Sequence, residues 1–147
     1  MNPLLVKVGI GASALAAGAA FTLSGSSSPA VAYSSPPSYL DISIGSPAHL
    51  VAKGAAIQLP VTTICSDAYY YNAYVSVTVT ERVSGKKTAT GTSNYQVPCT
   101  GYRQTNLVTI SSQNGISFAK GTAYASGTIN TYYSGSETTE TTITIKA

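Results

Sequence analysis

The residues 71–80 alternate more strictly than any other stretch of this chain. Tyr71, Ala73, Val75, Val77 and Val79 fall on one side, and Tyr74, Ser76, Thr78 and Thr80 on the other. A period of two cannot place these apolar groups on one face of a helix, but it lines one face of a pleated strand. A strand with one apolar face must be covered by other elements, so this segment is expected at the centre of an all-β domain.

Similar patterns recur along the chain. Leu40, Ile42 and Ile44 alternate with Asp41 and Ser43, and Gly45-Ser46-Pro47 ends that strand. After the turn at Lys53-Gly54, Ile57, Leu59, Val61, Thr63 and Cys65 share a face. Pro60 lacks a ladder donor, so it marks an edge strand or a position where no donor is needed. Ser84-Gly85-Lys86 turns into a weaker strand over 88–93, and Tyr95, Val97 and Cys99 share a face beyond it. Another strand runs over 102–110, with Val108 and Ile110 pointing one way. Gln113-Asn114-Gly115 reads as a turn, since Asn-Gly accepts positive φ. A long strand over 122–133 presents a small face of Ala123, Ala125, Gly127 and Ile129, suited to close approach of an opposing sheet or of a disulfide. Ser134-Gly135 leads into a last strand, with Thr139, Thr141, Ile143 and Ile145 on one face. Seven or eight short strands with regularly spaced turns predict a β-sandwich.

The first 32 residues differ in kind. Lys7 is followed by an uncharged, Ala- and Gly-rich apolar run over 8–23, then by a polar, helix-breaking stretch and Ala30-Val31-Ala32. This is the order of a cleaved secretory signal peptide of bacterial type. The run is short for a spanning helix, and its Ala and Gly content disfavours an uncleaved anchor. No Cys stands at its end for lipidation, and no Arg precedes it for a twin-arginine signal. The predicted organisation is a signal peptide over 1–32, a flexible lead over 33–38 and one domain over 39–147, secreted and extracellular, with retention at the cell surface left open.

Without Lys7, seven basic residues face five acidic ones, and no basic run exceeds Lys86-Lys87. That field is too weak to steer the protein to nucleic acid, or to an anionic membrane after signal cleavage. Two cysteines in an exported domain are expected to pair. A Cys65–Cys99 bridge would contribute about 3–4 kcal/mol by loop closure, against a domain stability of about 5–15 kcal/mol.

The strand over 57–65, the strand over 75–79, the Cys99-Thr100-Gly101 corner and the stretch over 118–125 together resemble a family of small exported bacterial domains. These are single-disulfide, immunoglobulin-like domains, mostly from high-GC Gram-positive species, and the family has no assigned activity. The likeness spans about residues 40–146. It implies an immunoglobulin-like β-sandwich of seven to eight antiparallel strands and export, and it transfers no catalytic residue. The chain departs from true immunoglobulin domains in having no Trp and a shorter cysteine spacing.

No catalytic set emerges. His49 is the only histidine, and it reads as a surface or turn residue. A serine nucleophile would need a base brought to it, and no G-x-S-x-G elbow is present. Asp41, Asp67 and Glu81 show no metal-ligand spacing, while Glu137 and Glu140, three apart on a strand, point to opposite faces. The expectation is therefore a non-enzymatic protein with no cofactor and no metal.

The local anomaly is aromatic: Tyr69, Tyr70, Tyr71 and Tyr74 follow Cys65 closely. Tyrosine offers an apolar ring and a polar tip at low entropic cost, which suits a binding surface. Tyr69, Tyr70 and Tyr74 are the candidate contact residues, and Tyr71, on the face of Val75, is expected inside. Tyrosines that simply pack across strands would look the same. The expected role is a binding or surface-interaction module for cell-wall polysaccharide or another secreted protein. The alternatives are a structural protein that self-assembles through the strand over 138–146, and a secreted enzyme inhibitor presenting the loop over 66–72. A hydrolase relying on His49 ranks last.

Overall fold

The computed structural model describes residues 39–66, 72–132 and 134–147. The predicted signal peptide and lead, and Tyr69, Tyr70 and Tyr71, lie outside these residues. The described chain is all-β. Its strands are β1 (Tyr39–Ile44), β2 (Ala48–Val51), β3 (Ala56–Ser66), β4 (Asn72–Ser84), β5 (Lys87–Pro98), β6 (Arg103–Ser111), β7 (Gly121–Thr131) and β8 (Gly135–Lys146). A 3-10 turn at Ala52–Gly54 joins β2 to β3.

The strands form one hydrogen-bonded sheet, ordered β1-β3-β2-β8-β7-β4-β5, with β6 on the other side of β3. β1 and β2 share one side of β3: β1 pairs with its second half and β2 with its first. β2 also runs parallel to the end of β8, Ala48 beside Ile145. That short contact links the β3 ladders to the β8-β7-β4-β5 ladders.

The alternation explains the packing. Ile57, Leu59, Val61, Thr63 and Cys65 of β3 are buried, as are Ala73, Val75, Val77 and Val79 of β4. Val108, Ile110, Ala123, Ala125, Ile129, Ile143 and Ile145 join them in one core. One face of each strand is therefore buried and the other looks outward, which is what a period of two dictates. The small face of β7 receives β1: a Cβ on Gly127 would lie 3.1 Å from the Cδ1 atoms of Ile42 and Ile44. Gly91 serves β5 in the same way, for a Cβ there would overlap the Ser111 carbonyl oxygen.

Pro60 resolves in favour of a position needing no donor. β3 is paired on both sides, but Pro60 falls between the stretch that β1 pairs and the stretch that β2 pairs. On that side its carbonyl accepts from the Gly45 N–H at 2.8 Å, and the missing proline N–H leaves no gap in either ladder. β5 is one continuous strand rather than a weak strand with a separate extension.

Cys65, near the end of β3, is bonded to Cys99, just past β5, with Cα atoms 4.5 Å apart. Gly101 takes positive φ and donates its N–H to the Cys65 carbonyl at 2.8 Å, fixing the corner. Such a bond is consistent with an extracellular protein. Among the described residues, no helix is long and apolar enough to cross a membrane.

Glu81 stands in the inward row of β4, between Val79 and Val83, and is buried. Its Oε2 accepts the Ala119 N–H at 2.8 Å. This acid holds the segment entering β7, and the sequence offered no sign of that role.

Candidate functional site

Tyr74 follows Asn72 in the outward row of β4. Its inward neighbours Ala73 and Val75 are buried, so the pleat turns the phenol out, and 58% of Tyr74 is exposed. Strand register supplies what surrounds it. Gln96 of β5 lies directly beside Tyr74 on one side, and Asn130 of β7 on the other. Asn94 stands one step along β5, opposite Ser76.

These residues line a shallow hollow of about 430 Å³ with Val75 and Tyr95. No charged side chain is among them. Each amide brings two donors and a carbonyl acceptor, and each hydroxyl can do either. The arrangement is a ring for stacking, ringed by amides and hydroxyls. It can hold a neutral polyhydroxylated ligand, and it offers no base, nucleophile or metal ligand set.

Tyr95 faces inward from β5, opposite Val75. Its hydroxyl is buried and has no partner among the described residues. Burial disfavours the phenolate and pushes the Tyr95 pKa up to about 12.

A second hollow, of about 350 Å³, lies on the same outward face nearer the other end of β4. Tyr124 of β7 is half exposed there, beside Thr80, Arg82, Thr88, Thr122 and Thr142. The Tyr124 hydroxyl shares a hydrogen bond with Glu140 of β8, which raises its pKa, with burial and the carboxylate charge adding to it. Between the hollows, hydroxyls pair across strands: Thr78 with Thr92 at 2.9 Å, and Thr128 with Thr138 at 3.1 Å.

Of the predicted contact residues, Tyr74 stands in the first hollow, and Tyr69 and Tyr70 lie outside the described residues. So does most of the loop over 66–72 proposed for an inhibitor. His49 is exposed on β2, a strand rather than a turn, beside Gln58 and Lys146. Glu140 points outward with Tyr124, and Glu137 belongs to the opposite row of β8, as alternation requires. Among the described residues, no three His, Cys, Asp or Glu gather in a way that could hold a metal ion. Asn94, Gln96, Asn130 and Tyr124 were not predicted as site residues. Their only signal in the sequence is an outward position on an alternating strand.

Comparison with protein-family models, with curated proteins and with solved structures finds no match to this chain.

Proposed function

We propose that this is a secreted, non-enzymatic, glycan-binding domain that uses the Tyr74 hollow to take a neutral cell-wall polysaccharide. The observation that carries the reading is the exposed Tyr74 ring set among the Gln96, Asn130 and Asn94 amides, with no charged side chain in the hollow. A sugar ring presents an apolar C–H face to an aromatic ring and hydroxyls around its rim. Amides answer those hydroxyls as donor and acceptor at once. Tyr69 and Tyr70, which precede β4 in the sequence, are the further contact residues of this reading. Residues 1–32 direct export and are removed. The fold is an immunoglobulin-like β-sandwich in which β1, β2, β3 and β6 cover the β8-β7-β4-β5 layer, like the exported single-disulfide bacterial domains that the sequence resembles.

The test expresses the full chain in an exporting bacterial host and determines the N-terminus of the product. Retention on purified cell wall and on insoluble neutral glycans is then measured. Wild type is expected to be retained, and Tyr74→Ser and the Tyr69/Tyr70/Tyr74→Ser triple variant to flow through. Equal retention of wild type and Tyr74→Ser, or retention of neither, overturns the reading.

A self-assembling structural role is the second reading. It is favoured by the outer side of β8, where β2 pairs only with the last residues, Ile145 and Lys146.

A further inference from the structure

Tyr74 and Tyr124 lie on one face, and both expose about half of their surface (58% and 48%). They stand on adjacent strands: Tyr74 is opposite Asn130, and Tyr124 is opposite Thr80. The two rows are therefore offset by six residue steps along the β4–β7 ladder, about 20 Å at the rise of an antiparallel strand. The outward residues between them on β4 and β7 are Ser76, Thr78, Ser126 and Thr128. All carry hydroxyls and none carries charge. Each end of this strip opens into its own hollow, of about 430 Å³ and about 350 Å³.

We infer that the ligand is an extended, linear, neutral glycan lying along the β4–β7 ladder, with one sugar stacked at Tyr74 and a second, several units away, at Tyr124. This rests on the reading of the Tyr74 hollow as a glycan site and specifies the class of glycan. The strip between the two tyrosines is without charge and complements a chain without charge, and at the Tyr124 end Arg82 and Glu140 bring one charge of each sign, so neither sign of polysaccharide charge is favoured there. A short sugar can reach one tyrosine only, and a chain long enough to span both gains the second contact without a second loss of translational freedom.

The experiment measures affinity of the exported protein for N-acetylglucosamine oligomers and, in parallel, glucose oligomers, each from the disaccharide to the hexasaccharide. Affinity is expected to rise by about tenfold or more once the oligomer spans both tyrosines. Tyr124→Ser should erase that rise, with the disaccharide still bound at Tyr74. Tyr124→Phe keeps the ring and should retain most of the rise. Tyr74→Ser should erase the rise as well and weaken binding at every length, leaving only the contact at Tyr124. Both tyrosines are exposed, so thermal unfolding of each variant should match wild type. Binding that depends on Tyr74 but shows no length gain, or a gain that survives Tyr124→Ser, overturns the extended-chain inference alone. No binding to any oligomer, or binding indifferent to Tyr74, overturns the inference and the glycan reading together.

Discussion

The outer sides of β8 and β5 in the run β8-β7-β4-β5 are finished by different means, β8 being paired there at its end alone, by β2. On β5, the carbonyls of Thr88, Thr90 and Thr92 point away from β4, and all three are taken up by the turn after β6. Asn114 Nδ2 donates to the Thr88 carbonyl at 2.6 Å, the Gln113 N–H to Thr90 at 2.9 Å, and Gln113 Nε2 to Thr92 at 3.3 Å. Near the other end of β5, Gln104 Nε2 donates to the Pro98 carbonyl at 2.6 Å. On β8 the turn before β2 supplies one such bond, from the Thr144 N–H to Ser46 Oγ at 3.1 Å. β8 instead carries Glu137, Glu140 and Lys146, all exposed. An open strand edge invites pairing with another chain, and it can be blocked by covering it or by charging it. Here β5 is covered and β8 is charged. β5 has no charged residue after Lys87, so it depends on its cover.

The largest break in this arrangement should come from the disulfide, because Cys99 anchors the end of β5 to β3. Replacing Cys65 and Cys99 together by Ser should lower the unfolding free energy by about 3–4 kcal/mol, since a loop of 34 residues is released in the unfolded chain. Denaturant titration reads the loss directly. A loss well under 1 kcal/mol would mean that the Gln104 and Gly101 hydrogen bonds hold this corner without the covalent bond.

The edges themselves are distinguished by a pair of single substitutions. Asn114→Ala removes the donor to Thr88 and should cost about 1 kcal/mol. It should also make β5 prone to concentration-dependent association. Glu137→Thr removes a charge and no hydrogen bond of the fold, so stability should stay within about 0.5 kcal/mol. Association through β8 should nevertheless increase. Sedimentation at rising concentration, beside denaturant melts, separates the two. If Glu137→Thr stays monomeric, charge is not what guards β8. If Asn114→Ala destabilises without associating, the turn is a brace for β5 and not a shield.

What the sequence made legible divides along similar lines. The buried rows of β3 and β4, the paired small face of β7 and the apolar end of β8 follow from side chains that alternate locally, and local alternation is visible in one dimension. The Cys65–Cys99 pair was legible because two cysteines leave one pairing. Asn114-Gly115 was legible as a turn, but the reach of Asn114 to Thr88 depends on how β6 delivers that turn to β5. The parallel pairing of β2 with β8 joins segments nearly a hundred residues apart and leaves no local mark. The same holds for the Tyr74 hollow. Tyr74 stood out by composition, whereas Gln96 and Asn130 become its neighbours only through the registers of β5 and β7. Buried Glu81 looked like any scattered acid, because nothing nearby in sequence announces that its carboxylate will meet the Ala119 N–H.

The smallest expected effect concerns the inward side of β5, at the end that the turn after β6 does not cover. Tyr95 is held protonated by burial, with its pKa pushed up to about 12, whereas an unfolded tyrosine ionises near 10. Below about pH 10 both states keep the proton and stability does not change on its account. Between about pH 10 and 12 the unfolded chain releases the proton first, so stability falls as pH rises. Tyr95→Phe should remove this part of the alkaline slope. At neutral pH it should leave stability equal or slightly higher, since the buried hydroxyl has no partner among the described residues to lose. Denaturant melts of wild type and Tyr95→Phe across that range read the difference, and the lysines cancel between them. If the slopes coincide, water reaches the phenol, and the uncovered end of β5 is packed less firmly than the end beneath Gln113 and Asn114. If they diverge as expected, β5 is equally well seated along its length, and the turn protects its edge rather than its core.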